Sequence, residues 1–277
     1  MFVCALVAMA FYTLFERKFL GHAQSRKGPN KVGFLGLLQP FSDAIKLFLK
    51  QNLIPVLGNR TGFYLAPTLS LFLALIIWIL YPFAFRAFFF ICRGLLFLMV
   101  SRLTVYCTIA AGWCSNSKYA LLGVIRRVAQ TISYEIRMAI FFIRALVLLG
   151  GVNFQRFIFL GKMWLAVLLP PLFFVWLVTV LAETNRAPFD FAEGESEIVS
   201  GFNIEYAAGP FAFIFMAEYA NILAIRALRG AVFTPLLFFW ALSPLLNVLV
   251  FAFVFVFVVW SRASLPRIRY DFLIILT

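Results

Sequence analysis

Residues 163–205 read MWLAVLLPPLFFVWLVTVLAETNRAPFDFAEGESEIVSGFNIE. The first twenty, to Ala182, carry no charge; the rest hold six of the chain's eleven Asp and Glu residues and a single cation, Arg186. A helix of about 20 residues rises about 30 Å, which matches the hydrocarbon thickness of a bilayer. The first half therefore predicts a membrane-spanning helix, and the second half a crowded acidic loop beside it. The whole chain fits this. Of its 277 residues, 64% are hydrophobic and 13% charged, with a mean hydropathy of +0.98. A soluble domain of that length cannot hide so much apolar surface in one core. The apolar runs are continuous and lack the ten-residue alternation of a membrane barrel. The fold class expected is all-α, a polytopic membrane helix bundle.

Seven spans are expected, over about 1–20, 63–85, 94–113, 129–150, 163–182, 206–225 and 235–260, in a single membrane domain covering 1–277. Residues 21–62, 114–128, 183–205 and 261–277 then form loops on one side. With their flanks from 16 and from 260, these segments hold fifteen Lys and Arg, against six on the opposite side and three within spans. Such asymmetry places the richer side in the cytoplasm of a bacterium or the matrix of a mitochondrion. Nine of the eleven acids share that side, although acids contribute little to orientation. A polar chamber opening there would account for them. No cleavable leader is expected, since the first apolar run ends in Glu16-Arg17-Lys18.

The net charge of +13 does not point to nucleic acid, because the cations flank spans and form no recognition module. Cys4, Cys92, Cys107 and Cys114 form no CxxC pair, and His22 is the single histidine, so no metal centre is expected. The segment after the first span begins as a Gly-, Pro- and Lys-rich loop. From Leu37 to Leu49 it places Leu37, Phe41, Ile45 and Phe48 among polar Gln39, Asp43, Lys46 and Lys50. That spacing predicts a short amphipathic helix in the interface plane, or a docking face for a soluble partner.

Two acids fall inside spans, Glu135 and Glu218. A carboxylate there is costly, so each is either a proton-handling group or half of a salt bridge that holds helices together. Burial disfavours the charged form and a paired cation favours it. Arg126 or Arg127 is the expected partner of Glu135. In the acidic loop, Asp190, Glu193 and Glu197 follow i, i+3, i+7 spacing, with Glu195 and Glu205 nearby. Like charges on one helix face repel and release protons as a coupled set. Phe189, Phe191, Ile198 and Phe202 interleave with these acids, which points to a half-buried loop rather than a solvated one. Arg186 is placed to pair with Glu183 or Asp190.

The stretch AETNRAPFDFAEGESEIVSGFNIEYAAGPFAFIFMAEYANI, residues 182–222, closely resembles the signature of the mitochondrial subunit 1 family of NADH:ubiquinone oxidoreductase, respiratory complex I. ERKFLGHAQSRKGPNKVGFLGLLQPFSDAIKLF (16–48) resembles that family's first matrix loop. GWCSNSKYALLGVIRRVAQTISYEI (112–136) is similar to its third-span exit and fourth span, and PRIRYD (266–271) to its last basic motif. The resemblance implies a multi-pass protein of the mitochondrial inner membrane, with neighbouring membrane subunits, hydrophilic quinone-module subunits and lipids as partners. It implies a wall of the ubiquinone tunnel and the start of a proton-coupling path, with electrons supplied by other subunits. It implies ubiquinone as substrate and no flavin, iron–sulfur cluster or metal held by this chain, which alone would not be catalytic. On matching positions, the path comprises Glu135, Glu183, Asp190, Glu193, Glu195, Glu197, Glu205 and Glu218. The tunnel and matrix loops comprise Glu16, Arg17, Arg26, Lys27, Asp43, Arg186, Arg267, Arg269 and Asp271.

Three departures stand out. Gln51 occupies a position where the family carries an acid. The family has eight spans and seven are read here, so the last is expected to be absent, outside this chain or on another chain. Arg86, Arg93, Arg102, Arg137 and Arg144 lie in or beside spans, where Arg102 and Arg137 require extra partners. The alternatives are the equivalent subunit of a hydrogenase-type membrane complex, which the EGESE and RKGPN motifs disfavour, and a stand-alone transporter, which would show an internal repeat.

Overall fold

The computed structural model describes residues 2–80, 92–149, 170–190, 201–233, 252 and 256–268. Among them there is no strand. The helices are α1 (Phe2–Ala23), α2 (Gln39–Leu49), α3 (Arg60–Leu80), α4 (Arg93–Ser115), α5 (Lys118–Leu149), α6 (Pro170–Glu183) and α7 (Ala208–Phe233), and residues 256–264 are also helical. Among the described residues, α3, α4 and residues 208–225 of α7 are each long and apolar enough to cross a membrane. The chain is a polytopic helical membrane protein.

The helices pack as one bundle. α3 lies against α4 and α7, α5 joins α4 to α6, and α1 and α2 run along α7. Large apolar side chains close the α3–α4–α7 seam: Ile77, Leu80, Phe97, Val100 and Ile225 share a core with Met138 and Trp176 of α5 and α6. A second core joins Met9 and Tyr12 of α1 to Ala217, Tyr219 and Leu223 of α7. Small residues permit the closest approaches. A Cβ on Gly112 would collide with Val124, so the Val124 side chain of α5 sits directly on the bare backbone of α4 there. Inside α3, Pro67 offers no amide; the hydroxyls of Thr68 and Ser70 bond carbonyls of the neighbouring turn.

Residues 118–128, expected as loop, are the first three turns of α5. Ser117 caps this helix, its Oγ accepting the Ala120 amide at 3.3 Å. At 32 residues α5 is about 48 Å long, more than the bilayer core requires, so one end extends past it. α4 ends where Asn116 turns left-handed at φ 49° and donates its side-chain amide to Leu57 O. The amphipathic segment is α2, preceded by a 3-10 turn at Phe34–Gly36. Its Phe41 and Phe48 rings lie beside Phe11 of α1 and Phe213 of α7, Ile45 is exposed, and Asp43 turns toward α1.

Candidate functional site: a charged row beside a cavity

A cavity of about 720 Å³ opens between α1, α2 and the first half of α7. Its walls are apolar along Leu6, Met9, Phe48, Phe211, Phe215 and Met216, and its polar end holds Glu16, Arg186, Tyr219 and Arg262. Glu16 falls on the buried stripe of α1, after Ala5, Met9 and Tyr12, and is only 4% exposed. A carboxylate so placed needs compensation. Arg262 donates to its Oε1, Tyr219 donates to its Oε2 at 3.1 Å, and Arg186 lies 3.5 Å away. Arg186 also stacks 4.6 Å above the Tyr219 ring. Burial alone would favour loss of its proton, but Glu16, Tyr219 and Glu218 around it win and hold the guanidinium above its ordinary value.

Arg186 thus reaches Glu16 of α1, a contact that its place in the loop beside Glu183 and Asp190 did not suggest. The turn fixes its direction: the Arg186 amide returns to Leu181 O at 3.3 Å, and Phe189 N–H returns to Arg186 O at 2.9 Å. Gln130 of α5, fully buried, donates to both Ala182 O at 2.9 Å and Phe189 O at 2.7 Å. It staples together the two ends of the turn that carries Arg186. Asp190 binds Arg267 at 3.3 Å.

Beyond Arg186 lies a small polar space of about 30 Å³ lined by Arg127, Thr184, Asn185, Asp190, Glu218 and Arg262. Beyond that lies an interior pocket of about 90 Å³ between α3, α4, α5 and α7. Arg127, Thr184, Asn185 and Glu218 belong to both. Arg127, Thr131 and Glu135 line the interior pocket at four-residue spacing along α5, facing Ser101, Thr104 and Thr108 of α4 and Asn221 of α7. Glu183 stands at its rim. Arg127 was an expected partner of Glu135; it instead binds Glu218 at 2.7 Å. The cation acting on Glu135 is Arg102, and Arg137 stacks 4.9 Å over Tyr134.

The three spaces therefore follow a row of alternating charge: Arg262, Glu16, Arg186, Glu218, Arg127. Other expected site residues lie around it. Arg17 binds Asp43 at 2.6 Å, and Asp43 also accepts from Gln39 at 3.0 Å, so α1 and α2 are joined at the cavity mouth. Arg26 and Lys27 are exposed in the loop before α2, off the cavity lining. Glu205 is half-buried in the turn before α7 and lines none of these spaces. Glu193, Glu195, Glu197, Arg269 and Asp271 lie outside the described residues, as does Arg86. Tyr219, Arg262 and Gln130 were missed by sequence reasoning. The apolar stripe ending at Glu16 was the signal for a buried carboxylate that needed such donors. Among the described residues no group of His, Cys, Asp or Glu could hold a metal ion.

A family model described as NADH dehydrogenase matches residues 1–277. NADH-ubiquinone oxidoreductase chain 1 of Aedes aegypti is 50% identical over 275 residues, covering 97% of this chain and 85% of that one. The chain 1 protein of Heterololigo bleekeri is 48% identical over 280 residues, with 99% and 88% covered. That of Didelphis virginiana is 47% identical over 274 residues, with 96% and 85% covered. These matches run nearly end to end, so the chain belongs to the NADH dehydrogenase family whose members include these NADH-ubiquinone oxidoreductase chain 1 proteins.

Proposed function

We propose that this chain is the membrane subunit of mitochondrial NADH:ubiquinone oxidoreductase that forms the quinone-access passage and the acidic start of the proton-coupling path. It acts within the assembled inner-membrane enzyme, with its acidic and basic loops on the matrix side. Hydrophilic quinone-module subunits and neighbouring membrane subunits are its partners, and ubiquinone is its substrate. The observation that carries this reading is the charged row running from the apolar cavity to the interior pocket. At about 720 Å³ the cavity has the size of an organic-ligand site, mostly apolar with charged side chains at Glu16, Arg186 and Arg262 and along α2, which suits an isoprenoid tail and a polar headgroup.

Reduction of a quinone to a quinol takes up two electrons, from neighbouring subunits, and two protons. In a poorly hydrated cavity that change of charge acts strongly on nearby ionisable groups. Glu16 and Arg186 face the cavity, and Glu218, Arg127 and Glu135 lie successively deeper. A redistribution of protons along this series would link quinone chemistry to translocation. The test is Glu218→Gln and Glu135→Gln in the assembled enzyme, with quinone reduction and protons moved per NADH measured together. A fall in the proton ratio is expected, and normal values of both refute the role. Co-purification with a large assembly separates this reading from a stand-alone transporter, and reduction of ubiquinone separates it from a hydrogenase-type complex.

A further inference from the structure

We infer that Arg127 is a positioning residue that holds Glu218 as the anionic link between the cavity-side and interior polar spaces, and fastens that link to the end of the acidic loop. The inference rests on the proposed coupling role of Glu218. Among the described residues, Arg127 is the one basic side chain that lines the interior pocket, and it also lines the small space before it. Its guanidinium donates to Glu218 Oε1 at 2.7 Å, and the two side chains keep only 12% and 21% of their exposure. The same guanidinium lies 4.7 Å from the centroid of the Phe202 ring.

Phe202 is not a loose neighbour. It is 1% exposed, packed with Phe63, Val124, Tyr206 and Ile214. The backbone at Gly201 passes so close to Gly123 of α5 that an added Cβ on Gly123 would sit 3.0 Å from Gly201 Cα. The 3-10 turn Gly201–Asn203, where the chain leaves the acidic loop, is thus pinned to α5 one turn from Arg127. Arg127 joins that pinned turn to α7 through Glu218.

Glu218 has a second cation within electrostatic reach, Arg186, which is itself held by Glu16 and Tyr219. The carboxylate therefore lies between two arginines, one on each side of the passage. Arg127 has the direct contact, and it keeps Glu218 from swinging to Arg186. Were it released, Glu218 would compete with Glu16 for Arg186, and the alternation of charge along the row would break at its middle. Arg127 does not line the cavity. Its influence passes through Glu218.

The test uses the assembled enzyme in inner membranes, with Arg127→Gln, Arg127→Lys, Glu218→Gln and the double variant Arg127→Gln/Glu218→Gln. Protons moved per NADH are measured beside quinone reduction, and assembly is followed by native electrophoresis. Arg127→Gln is expected to lower the proton ratio about twofold or more. Lysine, which keeps the charge, should restore most of it. The double variant should resemble Glu218→Gln alone, because a residue acting through Glu218 has nothing left to position. A normal ratio in Arg127→Gln, or losses that add in the double variant, overturns the inference. A normal ratio in Glu218→Gln instead overturns the coupling role of Glu218 on which it rests. If Arg127→Gln fails to assemble, Phe202→Leu, which removes the ring and leaves the ion pair, is the second probe. A ratio lowered less than in Glu218→Gln supports the fastening, and an unchanged ratio refutes it.

Discussion

Replacing Gln130 by leucine removes the two hydrogen bonds that hold the 182–189 turn closed. The wild-type amide donates to Ala182 O at 2.9 Å and to Phe189 O at 2.7 Å, from a side chain with no exposure to solvent. Each bond contributes about 1 kcal/mol net, and the Phe189 carbonyl left behind costs roughly 1 kcal/mol more. Ala182 O suffers less, because it keeps the Asn185 amide at 3.3 Å. One term opposes the loss. Gln130 Oε1 is buried without a hydrogen-bond partner, and leucine removes that burden of about 1 kcal/mol. The balance is about 2 kcal/mol, a roughly 30-fold rise in the open population of the turn.

Hydrogen exchange of peptides covering residues 182–190 in the intact enzyme reads this directly. The amides of Asn185, Arg186 and Phe189, all bonded within the turn, should exchange roughly 30-fold faster in Gln130→Leu. Gln130→Glu should be worse, since a carboxylate would point at two carbonyl oxygens with no proton to offer. Unchanged exchange in the leucine variant would refute the staple, and so would full protection in the glutamate variant.

Glu16→Gln leaves Arg186 and Arg262 facing one another without their anion. The loss is about 2–3 kcal/mol, below the usual figure for a broken buried pair because Arg262 is over a third exposed. The KM for a short-tailed quinone should rise about tenfold or more, and an unchanged KM argues that Glu16 does not face the substrate path. Gly112→Ala drives a methyl into Val124 at the α4–α5 crossing and should cost about 1–3 kcal/mol. Loss of assembled enzyme on mild heating reports it, and wild-type heat resistance would show that the two helices do not meet at this glycine.

What the sequence made legible was periodic. The uncharged run of α3 and the amphipathic spacing of α2 each follow from helix geometry. What it could not supply was partner choice. Arg186 has Glu183 and Asp190 within four residues, yet the turn aims it at Glu16 of α1. The backbone of the turn, and not distance along the chain alone, sets which groups the side chain reaches, and Glu16 offers a buried carboxylate there. Residues 118–128 misled differently. Lys118, Arg126 and Arg127 read as the charged flank of a span, but the helix runs past the bilayer thickness, and its first turns are the ones that meet Glu218 and Gly201. Gln130 gave no signal, because a glutamine between Ala129 and Thr131 looks the same whether it staples a turn or fills a seam.

Glu135 of α5 and Glu218 of α7 occupy unlike settings. Glu218 is locked by Arg127 and lies in the field of Arg186. Glu135, 8% exposed, shares its pocket with hydroxyls of Ser101, Thr104 and Thr131. Among the described residues it has no direct ion pair, Arg102 acting on it only through the field. Two identical carboxylates with matched surroundings would hold protons equally and define no direction. The surroundings here are unequal: one carboxylate has a direct cation, and the other has hydroxyls. Arg127 and Glu135 are two turns apart on one face of α5, so a single rigid helix carries the counter-charge of one acid and the second acid itself. A shift of α5 relative to α7 would loosen Glu218 from Arg127 and at once move Glu135 against α4, altering both acids in one motion.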